Sequence, residues 1–494
     1  MAVPSRGAER ATVTTLPNFV GGNWVPSRGT ALLDVKNPAT GELLARVPLS
    51  TASDVDDAVG AAGKAFPAWR ATPPVQRARV LFRLKALLDA HAEEIARICT
   101  GENGKTLAES RSDVGRGIEN VEHACGIPTL LMGNTLEDVA GGIDCEAVRQ
   151  PLGVFAAVTP FNFPPMVPLW FLPYAIACGN TFVLKPSEQV PLSQRRIFEL
   201  LAEAGLPPGV ANLVNGAKEV VDALCTHGQV RGVSFVGSSA VARHVYRTCA
   251  ENGKRVQALG GAKNHIVVMP DADLPRAVQN VCDSIFGCAG QRCLAGSIVV
   301  GVGEAYGKVR DGLVAAARSI RVGNGAEPGV TMGPVISSRH KDRVLSYVDV
   351  GVKEGARLLL DGRELTVPSL PDGNWVGPTI FEEVRPEMTI AREEIFGPVV
   401  CLMRAEGLDE AIALVNASEY GNASSIYTSS GKHARAYKLR AAPGMIGVNV
   451  GIAAPMAFFP FGGAKGSFFG DTKANGDAAV DFYTEKKVVI TRWF

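Results

Sequence analysis

Residues 286–296 read FGCAGQRCLAG, with two thiols five positions apart and Arg292 adjoining Cys293. The thiolate is the nucleophilic form of cysteine, and a neighbouring guanidinium favours it, so Cys293 is a candidate nucleophile. The flanking glycines let the backbone come close to a ligand. Read alone, however, a cysteine in a glycine-rich segment fits plain core better than catalysis, and Cys288 reads as packing. The chain's ten cysteines among 494 residues form no CxxC pair and no His/Cys ladder of the zinc type. With no secretory signal, free thiols in a reducing cytosol are expected, and neither a disulfide nor a metal at this stretch.

Three further stretches carry usable groups. In TPFNFPPMVPLW, residues 159–170, Pro160, Pro164, Pro165 and Pro168 exclude a regular strand and impose a set path on the chain that holds Asn162. An amide held in this way can donate to a developing oxyanion, or simply brace a turn. TFVLKPSEQ is a strand ending in Lys185 and Glu188. Ligands of open α/β sheets gather at such strand ends, where a lysine and an acid can hold ribose hydroxyls or form a plain salt bridge. VSFVGSSAVARHVYRTCAENG reads as strand, turn and helix. Ser238 or Ser239 is expected to cap that helix, whose N-terminus suits a phosphate. The G-x-G-x-x-G fingerprint is missing, so the dinucleotide signal from pattern alone is weak.

These groups need a scaffold. Short β-branched runs (VFAAV, TFVLK, ANLV, VSFVG, HIVVM, SIVVGV, VVCLM and IGVNV) alternate with helical patterns. Strands buried on both faces read this way, which predicts an α/β fold with parallel sheets and a second α/β lobe after residue 263. Upstream, NFVGGNWV and ALLDVKNPATGELLARVPL read as β pieces, and VQRARVLFRLKALLDAHAEEIARIC as helix with Leu81, Leu84, Leu88 and Ile95 on one face. NTLEDVAGGIDCEAVRQ reads as a protruding hairpin. A chain of 494 residues implies two or three domains. Charge is balanced, 50 Lys plus Arg against 49 Asp plus Glu, which argues against nucleic acid and against a polybasic membrane contact. No apolar run reaches the roughly 18 residues of a membrane span. The first 19 residues lack an apolar signal core and read as a frayed tail, with organelle targeting as the second reading. A cytoplasmic location is therefore expected.

In order and separation, the stretches TPFNFP, GNTFVLKPSE, SFVGSS, GGAKNHIVV, AGQRCLA, EEIFGPVV, GNASSIYT and PFGGAKGSFFGD resemble the NAD(P)-dependent aldehyde dehydrogenase superfamily. The likeness runs from about residue 18 to the C-terminus. It implies that Cys293 attacks an aldehyde carbonyl and that Asn162, with the Cys293 N–H, binds the oxyanion. It implies that Lys185 and Glu188 hold the adenosine ribose, with Glu188 favouring NAD over NADP. Ser238 would meet the pyrophosphate, and Phe161, Glu394 and Phe396 would line the nicotinamide end. It further implies an aldehyde dehydrogenase-like fold in three parts. Residues 1–130 and 150–261 would form a Rossmann-like NAD-binding domain and 262–465 an α/β catalytic domain. Residues 131–149 and 466–494 would form a small β oligomerisation element making a homo-oligomer, dimer or tetramer.

One position departs from the pattern. Hydrolytic members of the superfamily carry a glutamate in ELGG that activates water; here the segment is QALGG, and Ala258 stands in its place. A thiol is far more acidic than water and needs less help, so coenzyme A is the expected acyl acceptor. FNFPPMVPLW, RVQALGGAKNH and FFPFGGAKGSFFGD are similar to the CoA-acylating methylmalonate-semialdehyde dehydrogenase subgroup. That likeness implies a semialdehyde substrate bearing a carboxylate, anchored by Arg116 and Arg292. Hydrolytic oxidation to a free acid is the alternative. The remote alternative is a nucleotide-binding protein that has lost catalysis.

Overall fold

The computed structural model describes residues 13–494. The tail reading therefore falls largely on residues 1–12, outside the described residues. The alternation of β runs and helices builds two lobes, each around a mostly parallel sheet. In the first sheet Ala211–Leu213, Thr181–Lys185, Val154–Val158, Val230–Val236 and Arg255–Leu259 lie side by side and parallel. Short antiparallel strands close both edges. The side-chain period of two explains the packing. Val154, Ala156 and Val158 face the helices Ala52–Ala71, Lys218–Thr226 and Ser239–Glu251. Phe155 and Ala157 face a second core with Pro74–Ala90, Met166–Ala177 and Leu192–Glu203. Strands covered on both sides must be apolar at every position, which is why VFAAV reads as a continuous run.

The second sheet orders Thr379–Glu382, Val399–Ala405, Gly296–Val302, Asn264–Val268, Ala423–Tyr427 and Met445–Val448 in parallel. Its core is separate from those of the first lobe. The chain crosses between lobes at Gly260–Lys263, just after the last long strand of one sheet and just before the central strand of the other.

The hairpin forms as Asn134–Ala140 and Ile143–Pro151, and the C-terminal strand Thr484–Arg492 pairs antiparallel along the whole of its second arm. This small sheet is narrower than the expected 466–494 segment. Phe468–Phe469 pairs instead with Arg255–Leu259 in the first sheet. The helix Gly476–Tyr483 buries Val480, Phe482 and Tyr483 in the first lobe's core, because its apolar face has no cover elsewhere. The long helical stretch after residue 74 also divides. Pro74–Ala90 ends and Ala92–Asn103 begins at His91, whose backbone (φ −107°, ψ 11°) leaves the helix. Leu81, Leu84, Leu88 and Ile95 are all buried, as expected. No helix among the described residues is long and apolar enough to cross a membrane.

Candidate active site

The helix Leu274–Phe286 ends at a turn in which Cys288 (φ 50°), Ala289 (φ 52°) and Gly290 (φ 70°) are left-handed in succession. Each non-glycine residue in that region costs roughly 1–2 kcal/mol through the close approach of Cβ and carbonyl oxygen, so the turn persists only where neighbours hold it. A Cβ at Gly290 would run into the Gly397 carbonyl, so this position takes no side chain. The Cys288 N–H donates to Glu109 at 2.6 Å. The Cys288 carbonyl accepts from the Gln291 backbone and side chain, at 3.0 and 3.2 Å. Asn162 Nδ2 donates to the Gln291 carbonyl at 3.0 Å. The Cys293 carbonyl accepts two amides, from Asn264 at 2.9 Å and Asn422 at 2.8 Å. Strands Asn264–Val268 and Ala423–Tyr427 thus reach Cys293 through side chains at or beside their N-terminal ends.

Cys293 is half-buried where two cavities meet. The larger, about 670 Å³, runs along the carboxyl ends of the first sheet's strands. At one end Lys185 and Glu188 form a 2.7 Å ion pair. Burial opposes the Glu188 charge, but Lys185 beside it outweighs this and holds the carboxyl below its ordinary range. Ser238 occupies the cap position of the helix Ser239–Glu251, yet its side chain accepts no N–H of the first turn. Ser239 does not cap either. Its hydroxyl donates to the Gly466 carbonyl at 2.6 Å and accepts the Gly261 N–H at 2.9 Å, tying the lobe crossing to the loop after residue 461. The expected side-chain cap is therefore absent, and the helix N-terminus keeps its donors for an anion in the groove. Near Cys293, Phe161 and Phe396 meet edge to face with centroids 5.8 Å apart. Glu394 accepts the Ala262 N–H at 2.9 Å. An acid paired for hydroxyls, an uncapped helix end and an aromatic pocket in one groove fit a dinucleotide.

The second cavity, about 180 Å³, lies on the other side of the thiol and is walled by Arg116, Arg292, Trp170 and Phe461. Arg116 donates to Glu119 at 2.7 Å and to the Pro455 carbonyl. Arg292 donates to Glu109 and to the Asp283 carbonyl, each at 3.3 Å. Its Nε points to the sulfur of Cys288, 3.3 Å away. The thiol beside the guanidinium is thus Cys288, not Cys293, because the left-handed turn folds Cys288 back under Arg292. Cys288 is buried, as read from the sequence, and it also seats the arginine.

An aldehyde dehydrogenase family model matches residues 24–489. The chain belongs to the aldehyde dehydrogenase family. Malonate-semialdehyde dehydrogenase 1 of Geobacillus kaustophilus is 54% identical over 97% of this chain and 98% of its own length. The malonate-semialdehyde dehydrogenase of Halalkalibacterium halodurans is 51% identical over 98% of this chain and all of its own. Among solved structures, methylmalonate-semialdehyde dehydrogenase from Oceanimonas doudoroffii superposes with a TM-score of 0.96 at 47% identity, covering 97% of this chain and 99% of that one. A protein from Sinorhizobium meliloti assigned to the same enzyme type, in complex with NAD, gives 0.96 at 42% identity, covering 98% and 99%.

In this family member all ten residues singled out from the sequence line the two cavities that meet at Cys293. Ala258 does not. It is fully buried in the apolar core of the first sheet. Sequence reading missed Glu109, Asn264 and Asn422. Glu109 carried one signal, the T-x-x-E of a capping box at Thr106, but that pattern reports a helix start and nothing of Arg292.

The electrostatics of the thiol set a test. Burial is the largest influence on Cys293, and the Glu394 carboxylate adds to it. The N–H groups of Cys293 and Leu294 and the Arg292 charge act the other way, and the thiol is pushed up to about 12. Burial likewise pushes Glu394 up to about 7. Below its pKa the thiolate fraction grows about tenfold per pH unit. Alkylation of Cys293 by iodoacetamide in the free enzyme, followed by peptide mass, should therefore accelerate steadily from about pH 7 to pH 9. Glu394→Gln should quicken it at fixed pH. A rate that levels off near pH 8 would contradict the raised thiol.

Proposed function

We propose that this chain oxidises malonate or methylmalonate semialdehyde with NAD and passes the acyl group to coenzyme A. One observation carries the reading: Cys293 opens on one side to the dinucleotide groove and on the other to a cavity holding two arginines. Lys185, Glu188 and Ser238 would hold the adenosine end of NAD, and Phe161, Glu394 and Phe396 the nicotinamide end. Glu188 would repel a 2′-phosphate and so favours NAD over NADP. Bound there, NAD supplies the hydride acceptor that takes the hemithioacetal to a thioester.

The chain's own residues do the rest. Arg116 and Arg292 pair with the substrate carboxylate and so place the aldehyde carbon over the sulfur. Cys293 adds to the carbonyl, and the resulting oxyanion accepts from the Asn162 amide and the Cys293 N–H. The acyl-enzyme is a malonyl-type thioester. Its carbonyl can accept the electron pair left when carbon dioxide departs, and a proton then completes the acetyl or propionyl group. A thiolate of coenzyme A displaces Cys293. Ala258 offers no base for water, which is why transfer to a thiol is the reading preferred over hydrolysis. Free thiols at every cysteine suit a cytoplasmic enzyme.

We also propose a dimer or tetramer built through the small sheet. Thr484–Arg492 is an edge strand, and Val488, Ile490 and the following Trp493 are at least 61% exposed, an arrangement that invites pairing.

Three outcomes are expected. Malonate semialdehyde with NAD should give NADH and acetyl-CoA, with a strong CoA requirement. Free acid without a CoA effect would establish the hydrolytic alternative, and NAD binding without aldehyde-dependent NADH the inactive one. Arg116→Ala and Arg292→Ala should each raise KM for the semialdehyde by about 10- to 100-fold, the worth of a charge-assisted hydrogen bond, and change KM for propanal much less. Equal effects on both substrates would remove the carboxylate anchor. Light scattering should give a multiple of the 52.0 kDa chain mass, and Val488→Lys/Ile490→Lys should lower it.

A further inference from the structure

Lys105 and Asp113 form an ion pair with side-chain exposures of 1% and 0%, and none of the chemistry above uses them. Removing two charges from water costs several kcal/mol per ion, and an apolar pair of the same volume is often as stable. A stability role alone is therefore a weak account of the pair. Its remaining bonds show what it holds. Lys105 Nζ donates to Asp113 Oδ2 at 2.8 Å and to the backbone carbonyl of Asn162 at 2.6 Å. It also lies 4.2 Å above the ring of Phe163. Asp113 Oδ1 accepts the Met166 N–H at 3.0 Å, where the helix Met166–Ala177 begins. Asn103 Nδ2 donates to the Phe161 carbonyl at 2.8 Å.

Carbonyls 161 and 162, ring 163 and N–H 166 are thus all gripped by residues 103–113, a segment that itself lies outside the loop. Prolines cannot donate backbone hydrogen bonds, and the loop contains three of them, so it has few internal bonds of its own. Burial is the largest influence on Lys105 and opposes its charge, but Asp113, with Cys288 and Cys99, outweighs it and holds the ammonium above its ordinary range. The ammonium's bond to the Asn162 carbonyl is therefore charge-assisted.

We infer that Lys105 and Asp113 are positioning residues that hold the Asn162 amide where the oxyanion forms. The inference rests on the acyl-enzyme reading of Cys293 and Asn162. A neutral amide bond from Asn103 before Asn162, and charge-assisted bonds from Lys105 at its own carbonyl and from Asp113 at Met166, leave its Cα little freedom. Its side chain then reaches the Gln291 carbonyl, two residues before the nucleophile, at 3.0 Å.

The test is a mutant cycle on the NADH burst, measured with full-length enzyme, saturating NAD and semialdehyde, and no CoA. Lys105→Met/Asp113→Asn removes both charges together and keeps an acceptor for Met166. It should slow the burst by about 10- to 100-fold, part of the roughly 100- to 1000-fold cost of losing an oxyanion donor outright. The thermal midpoint and KM for NAD should hold. Asn162→Ala should show the larger loss, and adding the pair substitution to Asn162→Ala should bring no further loss, since no amide remains to be placed. A purely structural pair would instead multiply its effect with that of Asn162→Ala, and that result overturns the inference, as does an unchanged burst in the pair variant. Lys105→Gln/Asp113→Asn, which keeps a neutral donor, is run through the same cycle, so that misfolding of the first pair does not end the test. A wild-type enzyme without a burst would defeat the acyl-enzyme reading itself. A full burst in Asn162→Ala would defeat the oxyanion role and the positioning role with it.

Discussion

Three residues in a row turn left-handed at Cys288, Ala289 and Gly290, and most of the site's geometry follows from how that turn is held. Unsupported, two non-glycine residues there would relax toward ordinary backbone. They do not, because the groups around them are bonded from several directions: Glu109 from one helix, Asn162 from the proline-rich loop, Asn264 and Asn422 from two strands. Cys293 therefore sits at a point where both lobes contribute bonds. A displacement of either lobe would be felt at the sulfur.

The same turn sorts the charges. It carries Cys288 beneath Arg292, so the arginine bonds a buried thiol and a carboxylate and faces the smaller cavity, and it acts on Cys293 only as a minor charge. Burial and Glu394 hold the Cys293 thiol protonated at neutral pH. The free protein thus keeps this sulfur protonated while the Arg292 guanidinium lines the smaller cavity. A high thiol pKa also limits side reactions of a half-buried cysteine that lines two cavities.

Each lobe supplies one requirement. The first sheet ends its parallel strands in a long groove, the position where open α/β sheets collect ligands. The second sheet supplies the segment bearing Cys293 and the one bearing Glu394 and Phe396, both entered from its strand ends. The small third sheet is remote from this chemistry.

Much of this was legible in the linear chain. The β-branched runs declared parallel strands, because a strand covered on both faces must be apolar throughout. The motif residues, read alone, left core, brace and salt bridge open; their order along the chain carried the family resemblance, and all of them line the two cavities. The absent glutamate at Ala258 was equally plain. What the chain alone withheld was partnership. Cys288 looked like filler, and Glu109 and Asn264 drew no notice, since the groups they bond lie far away in sequence. The guanidinium of Arg292 seemed to belong to its neighbour Cys293, and only the left-handed turn gives it to Cys288. The share of the C-terminal segment belonging to the first lobe was also hidden, because which surface covers an apolar helix face is settled by packing. Side-chain type is a local property that the sequence determines by itself; which distant group completes its hydrogen bonds is decided only when tertiary structure brings the two together.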